Sequence, residues 1–473
     1  MGKQIRILFL GLAAVMSAFG ENAVLEGYVR EGLKNNLALR QKDFSYARAA
    51  AALGEARGMF LPSVGIDARY SRAGGGRIFD IPIGDLMNPV YSTLNDILQG
   101  MGQPAPFPTN LVNERFPFYR EQEHDTKIRV IQPIFQPAIV SNYSIRRRLR
   151  GLEEASRDAF ARQLVAEIKT AYGNLCKTAR ITVLLDNTEA LLNENLRVTK
   201  RLAENGKANT AAIYRAEADL QAFLQQKAEA EKNHAMSKAY FNFLLNRPLD
   251  SPIDLLQGDS ETVPDIPPLE IGEAEALKNR EELKQLDDAV GALTSKIRLA
   301  QTAYLPGVAA VFDYGYQGEI YRFKPDDDYW MASVVASWNL FSGFQDKYKV
   351  DQARLERREA EAKRMEVENQ IRLQVREAHQ NLGVALKSFE AAQARIKAAR
   401  KSYEAVDRRY REGMAPQIEY IDARNTLTQA EVNAAVTEFD CQIRAAEYER
   451  ATGSFDVKSI DVKSFDVKDA RRQ

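Results

Sequence analysis

Residues 31–70, EGLKNNLALRQKDFSYARAAAALGEARGMFLPSVGIDARY, decide the fold, because the chain repeats them as residues 275–314, EALKNREELKQLDDAVGALTSKIRLAQTAYLPGVAAVFDY. The two stretches align without a gap, and 12 of the 40 positions are identical. A second block recurs 207 residues later, with Gln163, Ala171 and Asn174 matched by Gln370, Ala378 and Asn381. Repeats of this length indicate two copies of one structural unit.

Each copy begins with a helix that is followed by two strands. In the first copy, the helical pattern covers residues 22–60 and ends at Pro62, and polar and apolar residues then alternate over 64–70, as in a half-buried strand. Strand pattern returns at 126–135. The residues between these strands, 74–123, are rich in Gly and Pro and have no clear period, which predicts a long loop.

The second copy repeats this order with a shorter loop. Its pattern predicts a helix over 273–304 that Pro306 ends, a strand over 308–316 and another strand over 329–341. The separation between the copies falls from 244 to 207 residues across this region, so the first loop is longer by 244 − 207 = 37 residues.

A long stretch without proline follows each pair of strands, at 139–204 and 344–411. Each would form a helix on the order of 100 Å long, at ~1.5 Å per residue. Helices of that length need neighbours, and the second stretch carries apolar residues spaced alternately by four and three, which is typical of a coiled coil. This seam consists of Ile371, Val375, Ala378, Leu382, Ala385, Phe389, Ala392, Ile396, Ala399, Tyr403, Val406 and Tyr410.

A glycine ends each long helix, at Gly206 and at Gly413. A second helical pattern follows each glycine, over 210–246 and 417–452. Glycine between two helical runs is most often a C-terminal cap, so the sequence predicts two helical hairpins whose tips lie at these glycines.

Composition argues against several classes of function. The chain has 65 basic and 65 acidic residues, which is not the balance of a nucleic-acid-binding protein. Its three histidines are scattered, so we predict no metal site and no cofactor. No nucleophile–base pair or phosphate loop stands out either, and we predict that the chain is not an enzyme.

The first residues read as a signal peptide. Lys3 and Arg6 precede a short apolar core, and Ala18-Phe19-Gly20 offers a cleavage site. No apolar run of 18 residues follows, which excludes a helical membrane protein but leaves a β-barrel open. The sequence favours two packed thiols at Cys176 and Cys441 over a disulfide.

These patterns divide the chain into five parts. We predict a signal peptide at 1–20, a first repeat at 21–252, a linker at 253–272, a second repeat at 273–453 and a low-complexity tail at 454–473. Two strands per repeat give four per chain, which leaves two open sheet edges. Three chains that share one barrel would remove these edges with 12 strands.

The sequence resembles the TolC-type outer-membrane efflux protein family over about residues 22–453. The resemblance rests on Leu61-Pro62 and Leu305-Pro306, on the run Trp338-Asn339-Leu340-Phe341-Ser342-Gly343, and on Tyr410, Gly413 and Tyr420-Ile421-Asp422-Ala423 near the second tip. It implies a mainly α fold with a β-barrel portion: a homotrimer with an α-helical periplasmic tunnel and a shared 12-stranded outer-membrane β-barrel, built from two structural repeats per chain.

The resemblance also implies partners and a site. The family's members export substrates through the outer membrane, with a periplasmic adaptor protein and an inner-membrane transporter. The family's acidic lumen constriction falls on Glu419 and Asp422, and its tip gate and adaptor contact on Gly206, Tyr410 and Gly413. The usual closing salt links are missing, because their positions hold Ala415 and Ala212.

Two alternatives stay open. The aromatic residues at the strand ends could form a girdle at the membrane interface or could be ordinary strand residues, and we favour the girdle. These residues are Tyr70, Tyr314, Tyr316, Tyr329 and Trp330. The second alternative concerns function, since a periplasmic coiled-coil scaffold without a pore would share the long helices. The alternating strands favour the export duct, and the duct implies that residues 74–123 lie outside the cell.

Overall fold

The computed structural model describes residues 23–206, 209–255, 266–322, 324–412 and 414–455. The predicted signal peptide at 1–20, Gly413 and nearly all of the tail at 454–473 lie outside these residues. The chain divides into two compact units. A helical unit takes its described residues from 1–53, 144–297 and 351–473, and a sheet unit consists of 54–143 and 298–350.

The order of elements follows the predicted order closely. The first half contains α1 (Ala23–Asn35), α2 (Leu37–Gly58), β1 (Ser63–Arg72), β2 (Ile78–Ile81), α3 (Ile83–Gly100), β3 (Glu114–Pro117), β4 (Gln122–Phe135), α4 (Pro137–Glu204) and α5 (Thr210–Leu244). The second half contains α6 (Leu269–Asn279), α7 (Glu281–Gln301), a 3₁₀ turn (Thr302–Tyr304), β5 (Gly307–Gly318), β6 (Asp328–Ser337), α8 (Gln345–Arg411) and α9 (Gln417–Thr452).

The long helices are present at the predicted places. α4 has 68 residues and α8 has 67. All twelve positions of the predicted seam on α8 are buried or half-buried, which confirms the heptad reading. No helix within the described ranges is apolar enough over 18 residues to cross a membrane.

Three apolar clusters lie in the described part of the helical unit, and the two larger ones join most of its helices. In the first, Ile168 and Leu175 of α4 pack with Phe241 of α5 and with Val29 and Leu33 of α1. In the second, the α8 seam packs with α6, α7 and α9, through Ile371, Val375, Leu382, Ala276, Leu283, Ala445 and Tyr448. Alanines on α9 allow close approach of the helix backbones, so small residues occupy much of this contact.

Each predicted first helix is broken once, at Asn36 and at Arg280. The two breaks occupy equivalent positions of the aligned stretches. Asn36 starts α2, because its side-chain oxygen accepts hydrogen bonds from the backbone N–H groups of Ala38 and Leu39, and its amide donates to the carbonyl of Leu244 at 2.9 Å. Arg280 donates to the Ala451 carbonyl and to the Glu282 carboxylate.

Three sequence predictions were wrong in their extent. Residues 74–123 are not an irregular loop, since they contain β2, the 18-residue helix α3 and β3. The last strand ends at Ser337 rather than 341, and the first helix of the second repeat begins at Leu269 rather than 273. The helical period of α3 was obscured by Pro89 in its second turn, which lacks a backbone donor.

A buried ion pair joins distant parts of the helical unit. Arg162 on α4 forms a bidentate pair with Glu281 at the start of α7, with Nη2–Oε1 at 2.7 Å and side chains only 9% and 10% exposed. Arg162 also donates to the carbonyls of Gly453 and Phe455, beyond the end of α9. One guanidinium therefore connects three segments.

We expect Arg162→Ala to lower the free energy of unfolding by about 3 kcal/mol, because it leaves the Glu281 carboxylate buried without its partner. Arg30→Ala is the matched control, since the Arg30–Glu26 pair is 63% exposed on both sides and should contribute under about 0.5 kcal/mol. Denaturant unfolding of the purified protein, followed by helical circular dichroism, measures both. Equal effects of the two changes would contradict this account of the buried pair.

Candidate functional site

The sheet unit contains a four-stranded antiparallel sheet with the order β1-β4-β5-β6. β1 and β6 are its outer strands, and each pairs with only one strand among the described residues. Their outer backbone donors and acceptors are thus available to another strand.

One face of this sheet is apolar and exposed. Ile66 lies beside Ile128, Ile128 beside Tyr314, and Tyr314 beside Trp330, so these side chains point to the same side. The exposed members of this apolar sheet face are Val64, Ile66, Tyr70, Ile128, Phe312, Tyr314, Trp330 and Val334. So large an exposed apolar surface marks a contact with lipid or with another protein.

The opposite face carries most of the charged residues of the sheet, together with the exposed Ile131, Met331 and Val335. Arg129 on β4 forms a bidentate pair with Asp313 on β5, with both N–O distances at 2.8 Å. It also lies 3.6 Å from Asp67 on β1. The two faces therefore differ in character, since the exposed large apolar side chains are concentrated on one face and the ion pairs on the other.

The structure shows which sheet face each residue of the predicted aromatic girdle occupies, and the girdle itself stays a prediction. Tyr70, Tyr314, Tyr316 and Trp330 lie on the apolar sheet face. Tyr329 does not, because it pairs with Gly315 on the opposite face, and its hydroxyl donates to Asp125 at 2.8 Å. The residue type alone could not predict which face of the sheet each aromatic side chain occupies, because adjacent residues of a strand point to opposite faces.

The tip of the second hairpin is organised by three tyrosines. The rings of Tyr410 and Tyr420 stack with centroids 4.7 Å apart, and the hydroxyls of Tyr403 and Tyr420 lie 3.3 Å apart. Burial and the neighbouring Tyr403 hydroxyl raise the pKa of Tyr420. The guanidinium of Arg424 lies 5.6 Å from the centre of the Tyr403 ring. The stack therefore joins the end of α8 to the beginning of α9.

The two predicted constriction carboxylates differ in their surroundings. Glu419 accepts a hydrogen bond from Arg409 of α8 at 2.8 Å, in a pair that is half exposed. Asp422 is exposed and has no ion pair within the described part of the chain. Sequence reasoning missed Arg409, although it and Glu419 lie ten residues apart on the two sides of the predicted tip.

A glycine and a helix cap form the turn of the first hairpin. Gly206 ends α4 with φ of +70°, a conformation that favours glycine, and Asn209 caps α5 by accepting a hydrogen bond from the Ala212 N–H.

Ion pairs join α4 to α5 beyond this turn: Lys200 pairs with Glu217 at 2.9 Å, and Lys227 pairs with Asp186 and Glu189 at 2.6 Å each. These contacts hold α4 against α5 within one chain.

The described residues contain no group of three or more His, Cys, Asp or Glu side chains placed to hold a metal ion. Cys176 and Cys441 are buried and are not joined in a disulfide. Burial, together with Asp440 and Glu438, raises the pKa of Cys441 to about 11. This thiol is therefore protonated and unreactive near neutral pH.

Comparison with known proteins agrees with this arrangement. Residues 274–454 match the model of the outer membrane efflux protein family. No curated protein sequence matches the chain at a significant level.

Several solved structures share the fold of nearly the whole chain. The outer-membrane channel OprN is 17% identical with a TM-score of 0.74, covering 93% of this chain and 92% of its own. The CmeC outer membrane channel of Campylobacter jejuni is 16% identical with a TM-score of 0.73, covering 92% and 88%. The outer membrane protein VceC of Vibrio cholerae is 13% identical with a TM-score of 0.71, covering 91% and 96%. Residues 274–454 therefore match the outer membrane efflux protein family, and nearly the whole chain shares the fold of the OprN and CmeC outer-membrane channels.

Proposed function

We propose that this chain is one of three copies that form an outer-membrane exit duct, extending into the periplasm. The observation that carries the proposal is the sheet, which joins an exposed apolar face, an opposite face with most of the charged residues and two open edges. Three such sheets would pair edge to edge into a 12-stranded barrel, with the apolar sheet faces toward lipid. A periplasmic scaffold without a pore would leave this apolar sheet face exposed to water.

The helical hairpins fit the periplasmic part of such a duct. α4, α5, α8 and α9 of the three copies would together form the wall of one tunnel, and both hairpin tips of each copy would lie at its entrance. A periplasmic adaptor protein and an inner-membrane transporter would deliver the substrate there. The residues at the contact would be Gly206, Tyr410 and Gly413, as the family resemblance implies.

At the tunnel entrance we place the constriction at Glu419 and Asp422. Because Glu419 is paired with Arg409, the two carboxylates would contribute different net charges to the constriction. Asp422 would contribute three uncompensated charges in a trimer, whereas Glu419 and Arg409 together would contribute none. Rings of carboxylates in a narrow pore attract cations, so Asp422 should dominate selectivity.

We expect the purified protein to conduct ions in planar bilayers and to prefer K⁺ over Cl⁻. Asp422→Asn should reduce this preference, and Arg409→Gln should increase it by freeing Glu419. The double variant Glu419→Ala/Asp422→Ala should in addition relieve block by divalent cations. Reversal potentials in a KCl gradient measure the changes in selectivity, and the conductance in the presence of divalent cations measures the block. If neither single variant shifts the potential in a conducting channel, the carboxylates are an ordinary solvated face, and if the wild type never conducts, the duct is refuted.

We also expect residues 74–123 to lie outside the cell. An epitope inserted after the exposed Gly102 should bind antibody on intact cells. The same epitope after Gly206 is the control, because the first hairpin tip should be reached only after the outer membrane is permeabilised. Labelling of both sites only after permeabilisation would contradict the proposed orientation.

A further inference from the structure

Helix α3 turns an apolar face away from its own chain. Its side chains Ile83, Leu86, Val90, Leu94 and Ile97, with Met101 just after the helix, follow one another at spacings of three and four residues. A helix brings such positions to one side. They are between 38% and 71% exposed.

The opposite side of α3 is polar and packs on residues 105–113. Asn88 donates to the carbonyl of Leu111 at 2.9 Å and accepts from its N–H at 2.8 Å. Asn95 forms the same two bonds with Phe107, at 2.7 and 3.1 Å. Gly84 completes this contact, because a Cβ at this position would lie 2.2 Å from the Leu111 carbonyl oxygen. The helix is thus held by these asparagine bonds and by the stacked rings of Tyr91 and Phe107, and its apolar side remains exposed among the residues that the structure describes.

The sequence of this face fits a helical partner better than a lipid surface. Ile83, Val90 and Ile97 recur every seven residues, and Leu86 lies three residues after the first of them, as in a helix–helix seam. Helices that lie on membranes carry Lys or Arg on their polar side. α3 has Asp85 and Asp96 and no basic residue.

The position of α3 in the chain indicates that this partner belongs to a neighbouring copy. The segment that carries α3 leaves the sheet at the end of β1 and returns at β4. β1 is an open edge of the sheet, where the proposed trimer brings in a neighbouring copy. We propose that α3 is an interchain contact, in which the apolar faces of α3 from neighbouring copies pack on one another. This inference rests on the proposed trimer and adds a second interface outside the barrel.

Cysteine cross-linking in outer membranes tests the contact. Val90→Cys lies at the centre of the apolar face, and oxidation with copper phenanthroline should produce chains linked in pairs. Ser92→Cys is the control, since it is exposed in the same turn but faces away from Val90. The wild-type chain, whose two cysteines are buried, measures the background. Ile97→Cys repeats the test one heptad later, in case Val90→Cys fails to fold.

The outcomes separate this inference from the proposed function. Cross-links at Val90→Cys or Ile97→Cys, and none at Ser92→Cys, would support the interchain contact. An assembled trimer in which neither apolar position cross-links would overturn the contact and leave the duct standing. Nitroxide lipids that quench a fluorophore attached to the thiol of the Val90→Cys variant would likewise overturn it, because the face would then lie against the membrane. A monomer in native mass spectrometry would overturn both proposals.

Discussion

The unpaired outer edges of the four-stranded sheet are the constraint on which the rest of the structure depends. Backbone donors and acceptors on β1 and β6 need partners wherever water is excluded, and the apolar sheet face is suited to such a place. Among the described residues of one chain neither requirement is met. The proposed closure of the sheet with further copies would meet both at once, because it would pair the edges and give the apolar face a lipid environment. The face that carries Arg129 between Asp67 and Asp313 would then become an interior surface.

The helical unit meets a different constraint. The helices of 68 and 67 residues gain most of their stability from side-by-side packing of an apolar face rather than from intrinsic helix propensity. The α8 seam supplies it through alanine and aliphatic positions along most of the helix. Polar contacts fix the geometry of the helical unit at a few positions, and the pair of Arg162 with Glu281 is a buried example. The cluster of Tyr403, Tyr410 and Tyr420 holds the second hairpin tip together.

Sequence periodicity predicted the elements that repeat a pattern many times. The limits of α4, α8 and α9 followed from the stretches without proline and from Gly206 and Gly413. The places of β1, β4 and β5 followed from alternating apolar residues and from Pro62 and Pro306. The breaks at Asn36 and Arg280 were missed, because each depends on hydrogen bonds to distant carbonyls, those of Leu244 and Ala451. Helix α3 was missed because its stabilising contacts are asparagine bonds to a segment that is itself irregular.

The candidate site shows the same limit. Counting from the predicted tip placed Glu419 and Asp422 on α9, the second helix of the hairpin. Their surroundings differ because Arg409, on the other helix, forms an ion pair with Glu419. A one-dimensional pattern cannot show which side chains meet across a turn. The girdle illustrates the point as well, since Tyr329 and Trp330 are neighbours in the chain and lie on opposite faces of the sheet.

The central claim is that several chains share one closed sheet. Native mass spectrometry of the protein, extracted from membranes in mild detergent, tests it most directly. The account predicts a species of three chains that persists on dilution, because edge pairing and apolar burial both require the neighbours. A stable monomer under the same conditions would contradict it.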